Sequence, residues 1–331
     1  MKHLLYLIIS LPLLWLSACN VHEWPKMPEK VSLHVRLNYE TNMTVWEHSY
    51  DNSGVKEEGL GETYDNRQKK GKIRYIVRTY PTSDKQRTLR EYTQEFIFTK
   101  DMAEGYDHEV TLDLLPGDYS IMVWSDLIVD NEHPGYYNAD NFAQIFLQGE
   151  HVGNNDYRDA FRGKSNLSLY PDIINQVQDT ISITMKRPLA KFEIVANDLL
   201  EFIETNSDDI NQYKAKVQYI GFMPNTYSMF TDKPVDSSTR VGFEATLKKK
   251  SDSEASMAFD YVFMGEIESA VTIKIGIYDN KGKQLSLTES IKIPLKSDYH
   301  TILKGKFLMQ NASGGINIYP GFDGNYNLII P

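Results

Sequence analysis

One residue carries a chemistry that its surroundings specify. Cys19 is the only cysteine of the 331-residue chain, and it ends the run Leu16-Ser17-Ala18-Cys19. Before it stand a basic start at Lys2 and an apolar stretch from Leu4 to Leu16. A short positive region, an apolar core and small residues at the cut make a secretory signal. The last four residues match the lipobox pattern, in which cleavage falls between Ala18 and Cys19 and the cysteine thiol is lipidated as the mature N-terminus. An ordinary secretory leader or a short membrane anchor is the plainer alternative, although the apolar run is short for a bilayer span. Acylation would leave no free thiol, so cysteine catalysis, a cysteine metal site and a disulfide all drop out, even in an oxidising compartment.

The other reactive residue types form no recognised constellation. No Gly-x-Ser-x-Gly, no His-Glu-x-x-His and no dinucleotide glycine fingerprint occurs. Gly163-Lys164-Ser165 has the ending of a phosphate loop, but Arg158 stands where that motif needs its earlier glycine. The histidines of the mature chain, His22, His34, His48, His108, His133, His151 and His300, show no i, i+4 pairing. His34 and His300 fall on expected strands, where an outward or capping role is expected. Asp130-Asn131-Glu132 and Asp323-Gly324-Asn325 have the composition of Ca²⁺ loops, but acidic turns are common. No catalytic residue, metal site or cofactor is therefore assigned. Acidic residues (45) outnumber basic ones (35), for a net charge of −10. The one dense basic run, Lys248-Lys249-Lys250, is followed by Ser251-Asp252-Ser253-Glu254 and reads as a solvated turn. Such a chain repels phosphate backbones, so nucleic acid is not an expected partner.

The elements around these residues are read from composition and period. An apolar fraction of 41% and a charged fraction of 24% describe an ordinary globular chain of about two domains. A 12% aromatic content with few helical patterns favours β structure. Residues 1–18 are read as the signal peptide and 19–30 as a lipid tether. The eleven residues Asn20 to Lys30 reach at most about 36 Å. Val31, Leu33, Val35, Leu37 and Tyr39 then alternate with polar residues, as in a half-buried strand. Residues 47–71 read as a long polar loop. Strands are expected at 73–80, 91–99, 108–115 and 118–125, the last two closing a hairpin at Pro116-Gly117. Short helices are expected near 142–147 and 155–161, and a strand at 180–186. A second unit starts near Arg187-Pro188, giving sandwiches at 31–186 and 187–331, each large enough to fold alone. It opens with Ala190, Phe192, Ile194 and Ala196 facing inward, continues through one or two helical turns at 198–204 capped by Asn197 or Asp198, and runs on in strands at 215–222, 241–248, 257–264, 271–278, 285–293, 300–308, 315–319 and 326–330. Strands at this spacing mean sandwiches or barrels rather than βαβ units.

Several segments carry a family resemblance. They are Leu114-Leu115-Pro116-Gly117-Asp118-Tyr119 before a strand with Trp124, and Arg187-Pro188-Leu189-Ala190-Lys191-Phe192-Glu193-Ile194. Further along come Tyr299-His300-Thr301-Ile302-Leu303-Lys304-Gly305-Lys306-Phe307-Leu308, then Gly314-Gly315-Ile316 and Gly321-Phe322-Asp323-Gly324. With the lipobox, their order resembles the FimB-like fimbrial anchor (minor fimbrilin) lipoproteins of Bacteroidetes. The resemblance implies an all-β fold of two tandem transthyretin-like β-sandwich domains with short helical insertions. It also implies a type V pilus anchor or minor subunit without catalysis, held on the cell outer membrane by the lipid on Cys19 and joined to fimbrial shaft subunits by β-strand pairing. In that family a trypsin-like cut removes the first strand of shaft subunits. Arg67-Gln68-Lys69-Lys70 would be the inviting site here, but an anchor cut there would lose its lipid, so Val31–Tyr39 is expected to be retained.

Two readings of partner contact stay open. The C-terminal segment Asn325–Pro331 alternates Tyr326, Leu328 and Ile330 with Asn327 and Ile329. It is either the last strand of the second sandwich or a strand donated to a groove on a shaft subunit. The alternative function is a surface glycan- or other ligand-binding lipoprotein, for which Tyr136, Tyr137 and Tyr157 would be an exposed aromatic set.

Overall fold

Alternating apolar residues build almost every element of the chain. The computed structural model describes residues 29–51, 53–82, 92–129, 135–170, 180–207, 209–265 and 268–309. Ala18, Cys19, most of the tether, both acidic turns considered for Ca²⁺ and the expected strands at 315–319 and 326–330 lie outside the described residues. The first part holds β1 (Val31–Tyr39), β2 (Asn42–Asp51), β3 (Gly54–Asp65), β4 (Lys72–Pro81), β5 (Gln94–Asp101), β6 (His108–Leu114) and β7 (Gly117–Ile128). Then come β8 (Tyr137–Asn138), β9 (Ile145–Leu147), β10 (Ala160–Leu169) and β11 (Thr180–Met185). The second part holds β12 (Leu189–Ala196), the helix α1 (Leu199–Thr205), β13 (Lys214–Tyr219), β14 (Met223–Ser228), β15 (Lys233–Ser238), β16 (Gly242–Thr246) and β17 (Lys248–Lys249). It ends with β18 (Ala255–Phe263), β19 (Ser269–Tyr278), β20 (Gln284–Leu287), β21 (Ile291–Leu295) and β22 (Tyr299–Gly305).

The first sandwich packs a sheet of order β11-β1-β6 on one of order β10-β7-β4-β5. Its core gathers Leu33, Val35 and Leu37 of β1 with Tyr75, Val77, Ile121, Val123 and Phe161. The turn at Pro116-Gly117 does not close a hairpin. β6 pairs with β1, while β7 pairs with β4 and β10. The turn instead carries the chain from one layer to the other, so Leu112 and Leu114 before it and Ile121 and Val123 after it enter one core. Of the helices expected near 142–147 and 155–161, the structure has β9 in the first and a single 3-10 turn, Asp156–Arg158, in the second.

The second sandwich packs the order β17-β18-β12-β22-β2-β3 on β16-β13-β19-β20, with β21 also beside β19. Its largest sheet is completed by chain from the N-terminal part. β2 runs parallel to β22 from Thr44↔Tyr299 to Tyr50↔Gly305, and β3 folds back on β2. The polar stretch expected as a loop is therefore mostly a hairpin. Its polarity reflects position: β3 is the sheet edge, and Glu57, Glu58 and Glu62 face solvent there, a composition that discourages edge-to-edge aggregation. The two sandwiches are thus not strictly tandem, and a division at Arg187 cuts through the second one.

A third cluster joins the two sandwiches. Ile76, Met122, Trp124, Tyr137 and Ala160 from the first part pack with Leu189, Tyr227, Met229, Tyr261 and Phe263 from the second. The small sheet β15-β14-β9-β8 lines the same junction. Residues 187–331 expressed alone would leave β22 without β2, and Tyr227 and Phe263 without Trp124 and Tyr137. We expect that fragment to show no cooperative thermal transition, whereas the mature chain shows one. A sharp transition for the fragment would mean that the second part closes its own core.

Candidate assembly site at the first strand and the sandwich junction

The strand that follows the tether is held on both sides. β1 pairs antiparallel with β6 from Val31↔Leu114 to Leu37↔His108, and parallel with β11 from His34↔Thr180 to Tyr39↔Met185. Leu33, Val35 and Leu37 are buried because the pleat sends alternate residues into the core. On the opposite face His34 lies 3.3 Å from both Thr111 Oγ1 and Glu109 Oε1, an outward position as expected. At the end of β1 the Tyr39 ring packs edge-on against Tyr75, Tyr106 and Phe161. Its hydroxyl donates to Ser125 Oγ at 2.8 Å, and burial holds its pKa well above the ordinary value.

From β1 the chain crosses at once into the second sandwich, and it crosses twice more. The three crossings are Glu40–Thr41, the segment from Asn66 to Lys70, and Arg187-Pro188. One buried group of side chains clamps all of them together. Arg187 is fully buried; its Nε donates to both carboxylate oxygens of Asp159 at 3.0 Å. Nη1 donates to the Glu40 carbonyl and to Asp298 Oδ1, each at 3.1 Å, and Nη2 donates to the Thr41 carbonyl at 2.8 Å. The guanidinium lies 4.6 Å from the centre of the Phe161 ring. Asn66 Nδ2 donates to Asp159 at 3.2 Å and to the Tyr261 hydroxyl at 2.7 Å. Lys191 Nζ donates to Asn66 Oδ1 at 3.2 Å and to Asp156 at 2.7 Å. A guanidinium taken out of water needs this much, since a buried charge without partners would cost several kcal/mol.

A second buried group stands beside it. Asp260 pairs with Arg158 and accepts from Tyr219 at 2.6 Å; His151 Nε2 also lies 2.6 Å from it. Burial alone would raise the Asp260 carboxyl, but Arg158 and His151 hold it below the ordinary value. His300, expected to point outward or to cap, is buried on β22 with Tyr64 tilted against its ring. The hairpin β2–β3 extends the sheet beside β22 and brings Tyr64 of β3 to His300, and no local pattern in the sequence places it there. Burial and the nearby Lys191 and Lys250 charges push the His300 pKa well below the ordinary value.

The remaining candidates from the sequence disperse. Cys19, Tyr326, Leu328 and Ile330 lie outside the described residues. Gly163-Lys164-Ser165 is mid-strand in β10 rather than a loop. Tyr137 is fully buried in the junction, so Tyr136, Tyr137 and Tyr157 form no common exposed platform. Asp198 is the N-cap residue of α1, as expected; its carbonyl accepts the Phe202 amide at 3.1 Å, but its side chain does not bond to the helix. Its carboxylate instead accepts the amides of Phe307, Leu308 and Met309, which fixes where the chain leaves β22. In the tryptic candidate, Arg67 is paired with Asp65, and the Gln68 amide donates to the Tyr106 hydroxyl at 3.0 Å. Among the described residues no group of His, Cys, Asp and Glu could hold a metal ion. No helix among them is long and apolar enough to cross a membrane. The clamp itself is not legible in the sequence. Its only trace there is a charged Arg-Pro pair, and then Lys191 and Glu193, inside an otherwise apolar strand.

A family model described as a family of unknown function (DUF6562) matches residues 28–331. No curated protein matches. Among solved structures, the fimbrial anchor protein Mfa2 from Porphyromonas gingivalis is 13% identical, with a TM-score of 0.39 over 78% of this chain and 82% of that one. A fimbrial assembly protein from Parabacteroides distasonis is 11% identical, with a TM-score of 0.39 over 86% and 93%.

Two substitutions test the clamp. Arg187→Met removes the charge and leaves Asp159 buried without its partner, so denaturant unfolding should show a loss of about 3–5 kcal/mol. Burial, opposed by Arg187, raises the Asp298 carboxyl from 3.8 to about 6. A carboxyl that holds its proton more tightly when folded stabilises the fold in acid, and that contribution is lost as pH rises from about 4 through about 6. The stability of the parent relative to Asp298→Asn should therefore fall across that window; a difference flat in pH would show that Asp298 does not titrate there.

Proposed function

We propose, for a chain that belongs to the family of unknown function DUF6562, that it is an outer-membrane lipoprotein serving as the anchor or a minor subunit of a fimbrium, without catalysis of its own. The observation that carries this reading is the setting of β1. The first described strand after the tether is paired along both edges, so tension from a lipid on Cys19 would act along the strand. Its ladder bonds would then share the load rather than break one at a time. Beyond Tyr39 the load passes to Glu40 and Thr41, whose carbonyls Arg187 binds, and so reaches both sandwiches. An attachment device needs a short leash and a rigid body, and this arrangement supports both.

With the β1 position filled, the contact with a shaft subunit falls to another edge or to a donated strand. Asn325–Pro331, with Tyr326, Leu328 and Ile330 on one face, is the proposed donor. At about 0.8 kcal/mol per buried methylene, one acyl chain binds marginally and several bind stably. Cys19→Ala should accordingly release the protein from the outer-membrane fraction with its melting temperature unchanged; a variant still found with the membrane would end the anchoring role. Deleting residues 325–331 separates the two readings of the C-terminus. Normal melting with lost capture of a shaft subunit supports donation, and a lost cooperative melt makes the strand internal.

A further inference from the structure

The sheet β10-β7-β4-β5 turns one face to the second sandwich, and the junction covers only part of that face. Ile76, Trp124, Met122 and Tyr80 lie under the second part, and beside them β10 is exposed at Lys164 and Asn166. There Tyr80, Ser120 and Asn166 stand side by side on β4, β7 and β10, and Met122 and Lys164 form the adjoining positions. The turn after β14 brings Phe230 over the edge of this area, with its ring 5.1 Å from Tyr80. The result is an open cleft of about 470 Å³ at the boundary between the sandwiches, within the range of small-molecule sites and in a place where they recur.

Its polar groups divide between a buried hydroxyl and exposed side chains. Ser120 is 6% exposed, and its hydroxyl has no hydrogen-bond partner among the described residues. A buried hydroxyl left unpaired is costly and unusual. Lys164 and Asn166 are exposed, and no internal partner holds either side chain among the described residues. Asp118, at the end of the cleft, accepts from Ser168 at 2.6 Å and Tyr170 at 3.0 Å and keeps lone pairs to spare. One cation and one carboxylate balance, which disfavours a charged ligand. An amide, an ammonium and a carboxylate beside partly exposed Phe230 offer donors, acceptors and a ring face together.

We propose that this cleft binds a neutral sugar residue of a glycan, with Asn166, Lys164 and Asp118 bonding its hydroxyls and Phe230 against its apolar face. The claim does not depend on the anchoring role. Four disaccharides, cellobiose, maltose, mannobiose and chitobiose, serve as probes in saturation-transfer NMR with the mature chain. At least one should bind saturably, with Kd of about a millimolar. Lys164→Ala with Asn166→Ala changes only exposed side chains, so the fold should hold while each lost hydrogen bond weakens binding by roughly three- to tenfold. Failure of all four probes to bind, or a double variant that binds as the parent does, would overturn the proposal.

Discussion

The pairing of Arg187 with Asp159 is the interaction on which the rest of the molecule depends. Both groups are buried, and neither is locally explained: Arg187 opens the second part of the chain, and Asp159 follows a single 3-10 turn of the first. Each compensates the other, and each turns its remaining hydrogen-bonding capacity to a crossing of the chain. Arg187 takes the carbonyls of Glu40 and Thr41, and Asp159 takes the side-chain amide of Asn66. Three connections that could have been independent linkers thus meet at one point. Buried ion pairs are weak evidence of net stability, but breaking one is expensive. The pair therefore sets how the two sandwiches lie on each other more than how strongly either is folded.

That constraint gives the hairpin β2–β3 its meaning. A strand of the N-terminal part that pairs with β22 makes the second sandwich depend on the first for a strand, and the aromatic junction around Trp124 and Tyr227 adds a shared core. The chain then behaves as one body with its N-terminal strand locked inside. On the proposed attachment role this matters mechanically, since the first described strand is already part of the paired sheet of the first sandwich.

Much of this is legible in the amino-acid order and some of it is not, for physical reasons. β1 can be read to the residue because Val31, Leu33, Val35, Leu37 and Tyr39 face one core and their neighbours face solvent. β3 escapes such a reading because an edge strand guarded by Glu57, Glu58 and Glu62 has the composition of a loop. The hairpin expected at Pro116-Gly117 does not form, because turn residues specify a bend and not the partner beyond it. Alternation places Lys191 and Glu193 outward, yet both are buried. Their charges are answered by Asp156, Asn66 and Lys250, residues far away in sequence. Long-range compensation leaves no local pattern, so the clamp is visible only in three dimensions.

The central claim of the proposed role is that β1, the first described strand after the expected lipid site at Cys19, remains part of the working protein. The direct measurement is the intact mass, under denaturing conditions, of the protein recovered from assembled fimbriae. The expected result is a single chain that begins at acylated Cys19 and contains Val31–Tyr39. A chain beginning at Gln68 or beyond would contradict it, because the lipid would then be joined to the fold by no covalent path.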